Sequence, residues 1–238
     1  MFRRLLIAIA AVAGIALTTS LGFWQWGRGQ QRTALQDAVA AREHSAPVTT
    51  SELLAASDGD PALVHRPVVL RGQWIADRTV FLDNRQMNAV PGFYVVTPLR
   101  IEGSQTVVLV QRGWVQRNFE SREHLPAVQT PAGSVEVHGR LAPPPAKLYA
   151  FQARETGPIR QNLDLASFRA ETGLPLLALS VQQAGAPSEG LLRQWPQAGS
   201  GAERNYGYAF QWWAMAALIA ILYVWFQLVL PRRQARRP

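Results

Sequence analysis

Residues 5–26 read LLIAIAAVAGIALTTSLGFWQW, an apolar run without a charged side chain. At a rise of about 1.5 Å per residue, a helix of this length crosses a hydrocarbon layer about 30 Å thick. Arginines precede the run, and Phe23, Trp24 and Trp26 lie at its far end, as at a membrane–water interface. The segment predicts a transmembrane anchor. A cleaved signal peptide is the alternative, but the run is long for one and ends in tryptophans instead of a small-x-small cleavage site.

A second uncharged run, YAFQWWAMAALIAILYVWFQLVL, covers residues 208–230, and four arginines follow it within the last seven residues. It predicts a second transmembrane helix. Because basic residues flank both outer ends, both termini are expected in the cytoplasm and the middle of the chain on the other side, in a bacterial periplasm or its mitochondrial equivalent. Small residues four apart, Ala10 with Gly14 and Ala216 with Ala220, would let the two helices touch.

The net charge of +8 belongs to the ends of the chain. Residues 27–203 carry seventeen basic and sixteen acidic side chains, so the middle segment is nearly neutral. A nucleic-acid-binding protein would concentrate positive charge on its folded domain. We therefore expect no nucleic-acid partner, and interpret the arginines at the ends as membrane-flanking residues that contact lipid.

The expected organisation has five parts along the chain. They are a cytoplasmic N-terminus (1–4), a first transmembrane helix (5–27), a β-rich extracytoplasmic domain (28–204), a second transmembrane helix (205–230) and a basic cytoplasmic tail (231–238). The fold class is thus a membrane protein in which two transmembrane α-helices flank a β-rich α+β domain.

Strand signals are dense in the middle segment. Short runs rich in Val, Leu, Ile and aromatic residues predict strands at 66–74, 79–83, 93–101, 106–115, 134–141 and 176–181. Glu102-Gly103-Ser104 is a short turn between two strong strands and predicts a hairpin. The expected architecture is a small β-barrel or a curved sheet.

Other segments of the chain have sequence patterns typical of helices and of a linker. Residues 27–44 have helical spacing and are expected to continue the first span, and a helix capped by Thr50 or Ser51 should follow. Asp164 and Gly173 bracket another short helix. Residues 184–202, rich in Gly, Ala, Pro and Ser, are interpreted as a linker.

The sequence contains few residues in patterns typical of catalytic or metal-binding sites. Nucleotide-binding, metalloprotease and nucleophile-elbow motifs are all absent from the sequence, as is cysteine. The lack of cysteine excludes disulfides, thiolate metal sites and thiol catalysis. The four histidines (His44, His65, His124 and His138) have no metal-ligand spacing. We expect neither a catalytic residue nor a metal site, and interpret the protein as not an enzyme.

Two stretches of sequence contain polar and aromatic residues that a purely structural role does not fully explain. The first joins residues 82–85, 91–99 and 108–115, with Arg85 and Arg112 on strands. Strand arginines usually pair with neighbours, here Asp83 or Glu102, so a structural role is favoured for both. The second patch spans residues 205–213. Asn205, Tyr208 and Trp212 share one helical face at the start of the second span; an aromatic belt would explain the tryptophans but not Asn205.

In their order, these segments resemble the surfeit locus protein one family, assembly factors of haem–copper cytochrome oxidase. The resemblance is carried by Leu21-Gly22-x-Trp24-Gln25-x-x-Arg28, L-D-N-R at 82–85, P-G-x-Y-V-V-T-P-L at 91–99, V-L-V-x-R-G-W-V at 108–115, N-x-D-L at 162–165 and Tyr208-Ala209-x-x-Trp212. It covers nearly the whole chain.

The resemblance implies an inner-membrane assembly factor that helps to insert haem a into oxidase subunit I or to stabilise it. Subunit I and haem a synthase would be its partners, and haem a a transient ligand. Tyr208, Trp212 and Asn205 would contact haem or subunit I, and Arg85 and Arg112 would dock subunit I or haem propionates.

One departure bears on haem. The family has a histidine three residues before its Tyr-Ala pair, where this chain has Asn205. An amide is a very poor iron ligand. The expectation is weak haem binding through stacking on Trp212, or action by protein contact alone. The alternatives are a strict haem a transfer protein and a two-span sensor or polysaccharide-length regulator unrelated to oxidase. The eight residues after the second span leave no output domain, which counts against a sensor, and a length regulator should have a mainly helical middle domain.

Overall fold

The computed structural model describes residues 2–118, 125–146, 148, 156–196 and 201–234. The chain divides into two compact units. We call residues 1–38 together with 197–238 the helical unit, and residues 39–196 the sheet unit.

Two long helices form the helical unit: α1, Phe2–Glu43, and α4, Ala202–Tyr223. Both lie in segments long and apolar enough to span a membrane. A helix satisfies its own backbone N–H and C=O groups, which is why uncharged runs of this length adopt it in lipid. α1 continues without a break through the polar residues after Trp26 to Glu43, which confirms the predicted helical extension.

The end of the second span departs from regular α-helix. A π-helical turn, Val224–Val229, follows α4 and leads into α5, Leu230–Gln234. Pro231 lies at the start of α5, where its ring would crowd the carbonyl of Gln227 in a regular α-helix. The wider π turn before it relieves that crowding.

Within the helical unit, α1 meets α4 through glycines and alanines. A Cβ placed on Gly22 would lie 2.2 Å from Nε1 of Trp213, and one on Gly29 would lie 2.6 Å from the Tyr206 ring. On α4, Ala209 and Ala216 are buried. Backbones can approach closely only where side chains are this small. We call this contact the helix seam.

The expected small-residue pairs are only partly at the seam. Gly14 and Ala216 lie there, the former against Ile219, but Ala10 is exposed and Ala220 is only half-buried. The seam instead uses Gly22 and Gly29, because the helices meet along the face that also carries Trp213 and Tyr206.

The sheet unit contains one mixed seven-stranded sheet. Its strands are β1 (Pro67–Trp74), β2 (Val80–Met87), β3 (Val90–Ile101), β4 (Val107–Gln116), β5 (Ser134–Ala142), β6 (Ile159–Arg160) and β7 (Leu176–Gln183). The order is β1-β5-β7-β4-β3-β2-β6, with β4–β7 and β2–β6 parallel and the other neighbours antiparallel. Short helices α2 (Thr50–Ala55) and α3 (Leu165–Thr172) and a 3₁₀ turn (Ala76–Arg78) connect them.

The described strands do not close a barrel. The last three residues of β1 also pair with β3, in the register Gly72 with Ile101 and Trp74 with Leu99. However, β2 and β6 continue the sheet beyond β3, and the order ends on β6. The small-barrel alternative is therefore not confirmed, whereas the β-rich α+β class is.

The core lies on both faces of β4, whose first eight residues are all buried. Val108 and Val110 pack into the apolar cluster that contains Leu99 and Val181. Val107 and Leu109 face the opposite cluster, around Leu82, Val96 and Phe168. This confirms the prediction that the continuous apolar run at 107–110 is a strand covered on both faces.

Local capping follows the sequence closely. The Asp164 carboxylate accepts a hydrogen bond of 2.9 Å from Ser167 N at the start of α3, and Gly173 ends that helix in the left-handed conformation. The cap of α2 is Thr49, one residue before the expected Thr50 or Ser51; its hydroxyl accepts from Glu52 N.

Two segments differ from expectation. β2 and β3 form a hairpin through Asn88 and Ala89, both with positive φ, so β2 extends well beyond the predicted residue 83. The turn is of the two-residue kind, but it lacks the glycine that usually signals one. In the expected linker, Leu191 is buried and Leu192 pairs with Trp114 of β4. We call residues 188–193 the strap.

Candidate functional site

The predicted residues at the start of α4 differ in how far they are buried against α1. Successive helix residues are rotated by about 100°, so Ala209 and Trp213 lie on one side of Asn205 and Tyr208 lies on the other. Ala209 is fully buried in the helix seam, whereas Tyr208 is 46% exposed. Trp212 is half-buried. Of the three predicted residues, Asn205 contacts α1, Trp212 is half-buried and Tyr208 is the most exposed.

Asn205 makes a specific contact with α1. Its Nδ2 donates a 2.7 Å hydrogen bond to Oε1 of Gln25. Next to this pair, the Tyr206 hydroxyl lies 3.1 Å from Thr33 Oγ1. Interhelical hydrogen bonds of this kind stabilise helix pairs where water is scarce. Gln25 was recognised only as part of a motif, because nothing in the sequence indicates which residue of α1 faces Asn205.

An aromatic cluster joins the residues that neighbour Gln25 and Asn205 in sequence. The ring centroids of Trp26 and Tyr206 are 4.8 Å apart, and those of Trp26 and Trp213 are 5.8 Å apart. Phe23 contacts Trp213 edge-on at 5.4 Å. Such contacts add to the packing of the seam. The aromatic residues near Asn205 thus connect the two helices in addition to marking an interface.

The helical unit contains neither histidine nor cysteine for axial haem ligation. Neither apolar segment contains a histidine, and the Asn205 amide is hydrogen-bonded to Gln25. Haem iron in proteins is usually held by His, Met, Cys or deprotonated Tyr.

Arg112 is a fully buried residue of β4. Its guanidinium donates to Thr130 Oγ1 at 2.7 Å and to the Gln129 carbonyl at 2.6 Å, and it pairs with Glu189 of the strap at 3.0 Å. It also stacks 4.8 Å from the centre of the Trp74 ring. The ion-pair partner is thus Glu189 and not the expected Glu102. A side chain enclosed in this way holds loops together and has no surface left for docking.

Arg85 of β2 is also buried, but its described partners are neutral. Its Nη2 donates to the carbonyls of Ala146 at 2.8 Å and Gln161 at 3.0 Å, and its guanidinium lies 5.7 Å from the Tyr94 ring centre. Burial lowers the pKa of Arg85 from its ordinary value, an effect that Tyr94 partly offsets; burial also raises the pKa of the Tyr94 phenol.

A β-bulge turns Arg85 inward. The β2–β3 register shifts between Leu82 and Arg85, and Asn84 adopts a positive φ of 58°. The Asp83 carboxylate accepts a 2.7 Å hydrogen bond from Asn84 N. Asparagine tolerates this conformation better than most residues. Arg85 and Arg112 have no described partner in common and do not form one site.

No metal site is present among the residues described. No group of three or more His, Asp or Glu side chains lies close enough there to hold an ion. His138, on the exposed side of β5, lies 2.8 Å from Glu136, which also pairs with Arg71. His124 lies outside the described residues.

Comparison with known proteins matches residues 12–217 to the SURF1 family. The chain belongs to the SURF1 family. It is 28% identical over 100 residues to a SURF1-like protein of Rickettsia prowazekii, covering 41% of this chain and 38% of that protein. It is 27% identical over 116 residues to Surfeit locus protein 1 of Arabidopsis thaliana, covering 45% of this chain and 33% of that protein. The chain thus spans well under half the length of the curated relatives it matches.

The motifs that resemble the SURF1 family have clear structural roles in the sheet unit. A Cβ on Gly92 of the P-G pair would lie 2.3 Å from the Val115 carbonyl and 2.5 Å from the Trp114 indole. A Cβ on Gly113 of the R-G-W motif would lie 2.7 Å from the Leu192 carbonyl of the strap. Both glycines are required by close approach of neighbouring backbone.

Two further motif residues hold connections in this SURF1 family chain. Asn162 of N-x-D-L exchanges two hydrogen bonds with the Leu148 backbone, at 2.6 and 2.8 Å. The Trp114 indole donates to the Arg85 carbonyl at 2.9 Å. The motifs therefore encode the sheet unit, and their presence alone does not mark a ligand site.

Proposed function

We propose that this chain is a membrane-tethered assembly factor for haem–copper cytochrome oxidase. The observation that carries the proposal is the SURF1 family match over residues 12–217, which includes most of α1, the first half of the second apolar helix and the whole sheet unit. The SURF1 family is known for cytochrome c oxidase assembly. Two helices long enough to span a membrane fit a factor that acts on a membrane-embedded complex.

The proposed orientation places both termini in the cytoplasm of a bacterial inner membrane and the sheet unit in the periplasm. Arginines before the first apolar run and after the second support this orientation. The working partner would be oxidase subunit I, with haem a as its cargo and haem a synthase as a second partner. No catalytic step is assigned to the chain.

The proposed mode of action is protein contact. The hydrogen bond from Asn205 to Gln25 and the absence of histidine from both apolar segments argue against axial ligation by the Asn205 amide or by a histidine of the helical unit. Tyr208 and the half-buried Trp212 remain on the side of α4 away from the centre of the seam. That side offers an aromatic surface to subunit I or to the edge of its haem a.

The architecture argues against the regulator alternative. A polysaccharide-length regulator should have a mainly helical domain between its spans, whereas the sheet unit contains seven strands. A strict haem a transfer protein would have to hold the cofactor during purification. Haem a that co-purifies in a one-to-one ratio with axial ligation by the native chain would favour transfer over contact.

Deletion of the gene tests the proposal. In membranes of the deletion strain, oxidase activity should fall and be restored by the native gene on a plasmid, while other respiratory complexes stay unchanged. Unaltered oxidase activity in a strain that makes no other SURF1 family protein would overturn the proposal.

Variants of α4 test the contact surface. Trp212→Ala should lower oxidase activity in the complemented deletion strain because it removes aromatic contact area. Phe210→Ala, at a position 72% exposed and on a different side of the helix, is the matched control. Full oxidase activity of Trp212→Ala at an equal protein level would contradict a contact role, and the residue would then be part of an interfacial aromatic belt.

A further inference from the structure

The exposed face of the sheet unit carries an ordered row of polar side chains across three strands. In the register of the sheet, Ser134 of β5 lies opposite Gln73 of β1, and Gln73 lies opposite Arg100 of β3. All three residues are exposed. Cross-strand neighbours on one face lie about 5 Å apart, so the row brings a hydroxyl, an amide and a guanidinium together.

The three side chains of the row lie near one another because strands β1 and β3 pair directly. A Cβ on Gly72, next to Gln73, would lie 2.2 Å from the Arg100 carbonyl. Glycine at this position lets the two strands pair directly. The β3–β4 turn, with Gly103 at a φ of 74°, then brings Ser104 alongside.

Together these residues line a depression of about 210 Å³, formed by Gln73, Arg100, Ile101, Glu102, Gly103, Ser104 and Ser134. Ser104 is fixed there, since its hydroxyl donates to Thr106 Oγ1 and accepts from Thr106 N, both at 3.0 Å. The volume suits the end of one side chain. It is open to solvent, so it does not enclose a free small molecule on all sides.

Arg100 differs from the neighbouring arginine on this face. Arg71, in the next row, forms an ion pair with Glu136 at 2.9 Å. Among the residues that the structure describes, no carboxylate lies within ion-pair distance of the Arg100 guanidinium. Its fork of N–H donors is therefore available, and a carboxylate matches that fork in a bidentate way.

We propose that this depression binds the carboxylate of an acidic side chain presented by a protein partner, with Arg100 as the principal donor and Gln73 and Ser134 as supporting donors. Glu102 in the lining makes a singly charged carboxylate a better match than a dianionic phosphate. Because the depression is open, binding requires neighbouring contacts that a partner protein supplies and a free acid does not. The inference is independent of the oxidase proposal, since it concerns the sheet unit alone.

NMR of the full-length protein in detergent micelles tests the proposal. The protein is labelled with [15N]arginine, and the Nε–Hε signal of Arg100 is assigned by its loss in Arg100→Gln. The probes are acetyl-Ala-Glu-Ala-amide, its glutamine analogue, sodium acetate and inorganic phosphate. The acidic peptide should shift the Arg100 signal saturably and the glutamine peptide should not.

Variants sharpen the expected result. Gln73→Ala should weaken peptide binding about fivefold, the equivalent of one hydrogen bond. Glu102→Gln should strengthen it, and more so at low salt, because a repulsive charge is removed. Arg78→Gln, an exposed arginine outside the depression, is the matched control and should leave the titration unchanged.

Three results would overturn the proposal. If the acidic peptide causes no saturable shift of the Arg100 signal, the depression does not bind a carboxylate. Acetate binding as tightly as the peptide would contradict a protein side chain as the source of the carboxylate. Phosphate binding more tightly than either would contradict the assignment of a carboxylate.

Discussion

Arg112 and Arg85 are both buried residues of the sheet, yet they differ in how their charge is compensated. Arg112 has the Glu189 carboxylate, whereas the described partners of Arg85 are carbonyl oxygens and an aromatic ring. A buried guanidinium is costly unless its charge is paired or fully hydrogen-bonded. Arg112 therefore belongs to the stability of the sheet unit, and Arg85 holds the connections at Ala146 and Gln161.

Replacing Arg112 should destabilise the protein strongly. Arg112→Ala leaves Glu189 only its longer, 3.4 Å contact with Arg193 and releases Gln129 and Thr130, so unfolding should become easier by about 3–5 kcal/mol. The measurement is urea unfolding in detergent followed by tryptophan fluorescence. Arg71→Ala, which breaks an exposed ion pair, is the control and should change little. An Arg112→Ala protein as stable as the native one would contradict a structural role.

His65 gives the sheet unit an acid-sensitive residue. It has a left-handed φ of 72°, and burial together with the Arg140 and Arg42 charges lowers its pKa from the ordinary 6.5, against an opposing effect of Glu43. A lowered pKa means that the unfolded chain binds the proton more readily than the folded one. The stability linked to His65 is therefore full above about pH 6.5 and is lost as the pH falls through the folded-state pKa.

Substitution by asparagine isolates this effect, because asparagine also tolerates a positive φ. Between pH 7 and pH 5, the free energy of unfolding of the native protein should fall more steeply than that of His65→Asn. Equilibrium urea unfolding at several pH values measures both slopes. Equal slopes would show that His65 does not contribute to the acid sensitivity.

At the scale of elements, the helix seam depends on the absence of a side chain at Gly22. Nothing lies within 4 Å of a Cβ built on Gly27, so the two glycines form a matched pair on one helix. Gly22→Leu should force α1 and α4 apart, because the added side chain collides with Trp213. Gly27→Leu should be tolerated.

Thiol cross-linking measures the separation of the helices. The native chain has no cysteine, so Gln25→Cys with Asn205→Cys provides a single pair at the amide contact. A short bifunctional thiol cross-linker, which spans the gap that the two amide side chains fill, should link this pair efficiently in the Gly27→Leu background and poorly in the Gly22→Leu background. Equal yields in both would contradict the seam.

The sequence predicts local elements better than their pairing. Apolar runs place β4, and Asp164 and Gly173 bracket α3, because capping and burial depend on neighbours in sequence. By contrast, the parallel pairing of β4 with β7 and the strap over Trp114 join residues 69 or more positions apart, and no local pattern reports such contacts.

The candidate site shows the same limit. Helical periodicity groups Asn205, Tyr208 and Trp212, but it does not tell which edge of that group faces α1. The contact made by Asn205 to Gln25 decides it, and that contact depends on how the two helices pack. The burial of Arg112 could likewise not be predicted from the sequence, because its partner Glu189 lies in a segment with the composition of a linker.

For the whole molecule, we expect a two-pass topology. Reporter fusions after Arg28 should be exported, and fusions after Arg233 should be cytoplasmic, because arginines flank the outer ends of both apolar segments. Alkaline phosphatase and green fluorescent protein report the two sides. An exported reporter after Arg233 would contradict the topology.

The proposed role of the chain in the assembly of cytochrome oxidase can be tested in membranes. Its most direct test is the haem a content of membranes from a strain that lacks the gene, taken from reduced-minus-oxidised spectra and normalised to haem b. The account predicts a marked loss of haem a in the oxidase, together with a lower amount of subunit I, both restored by the native gene. Haem a and subunit I at native levels in the deletion strain would contradict it.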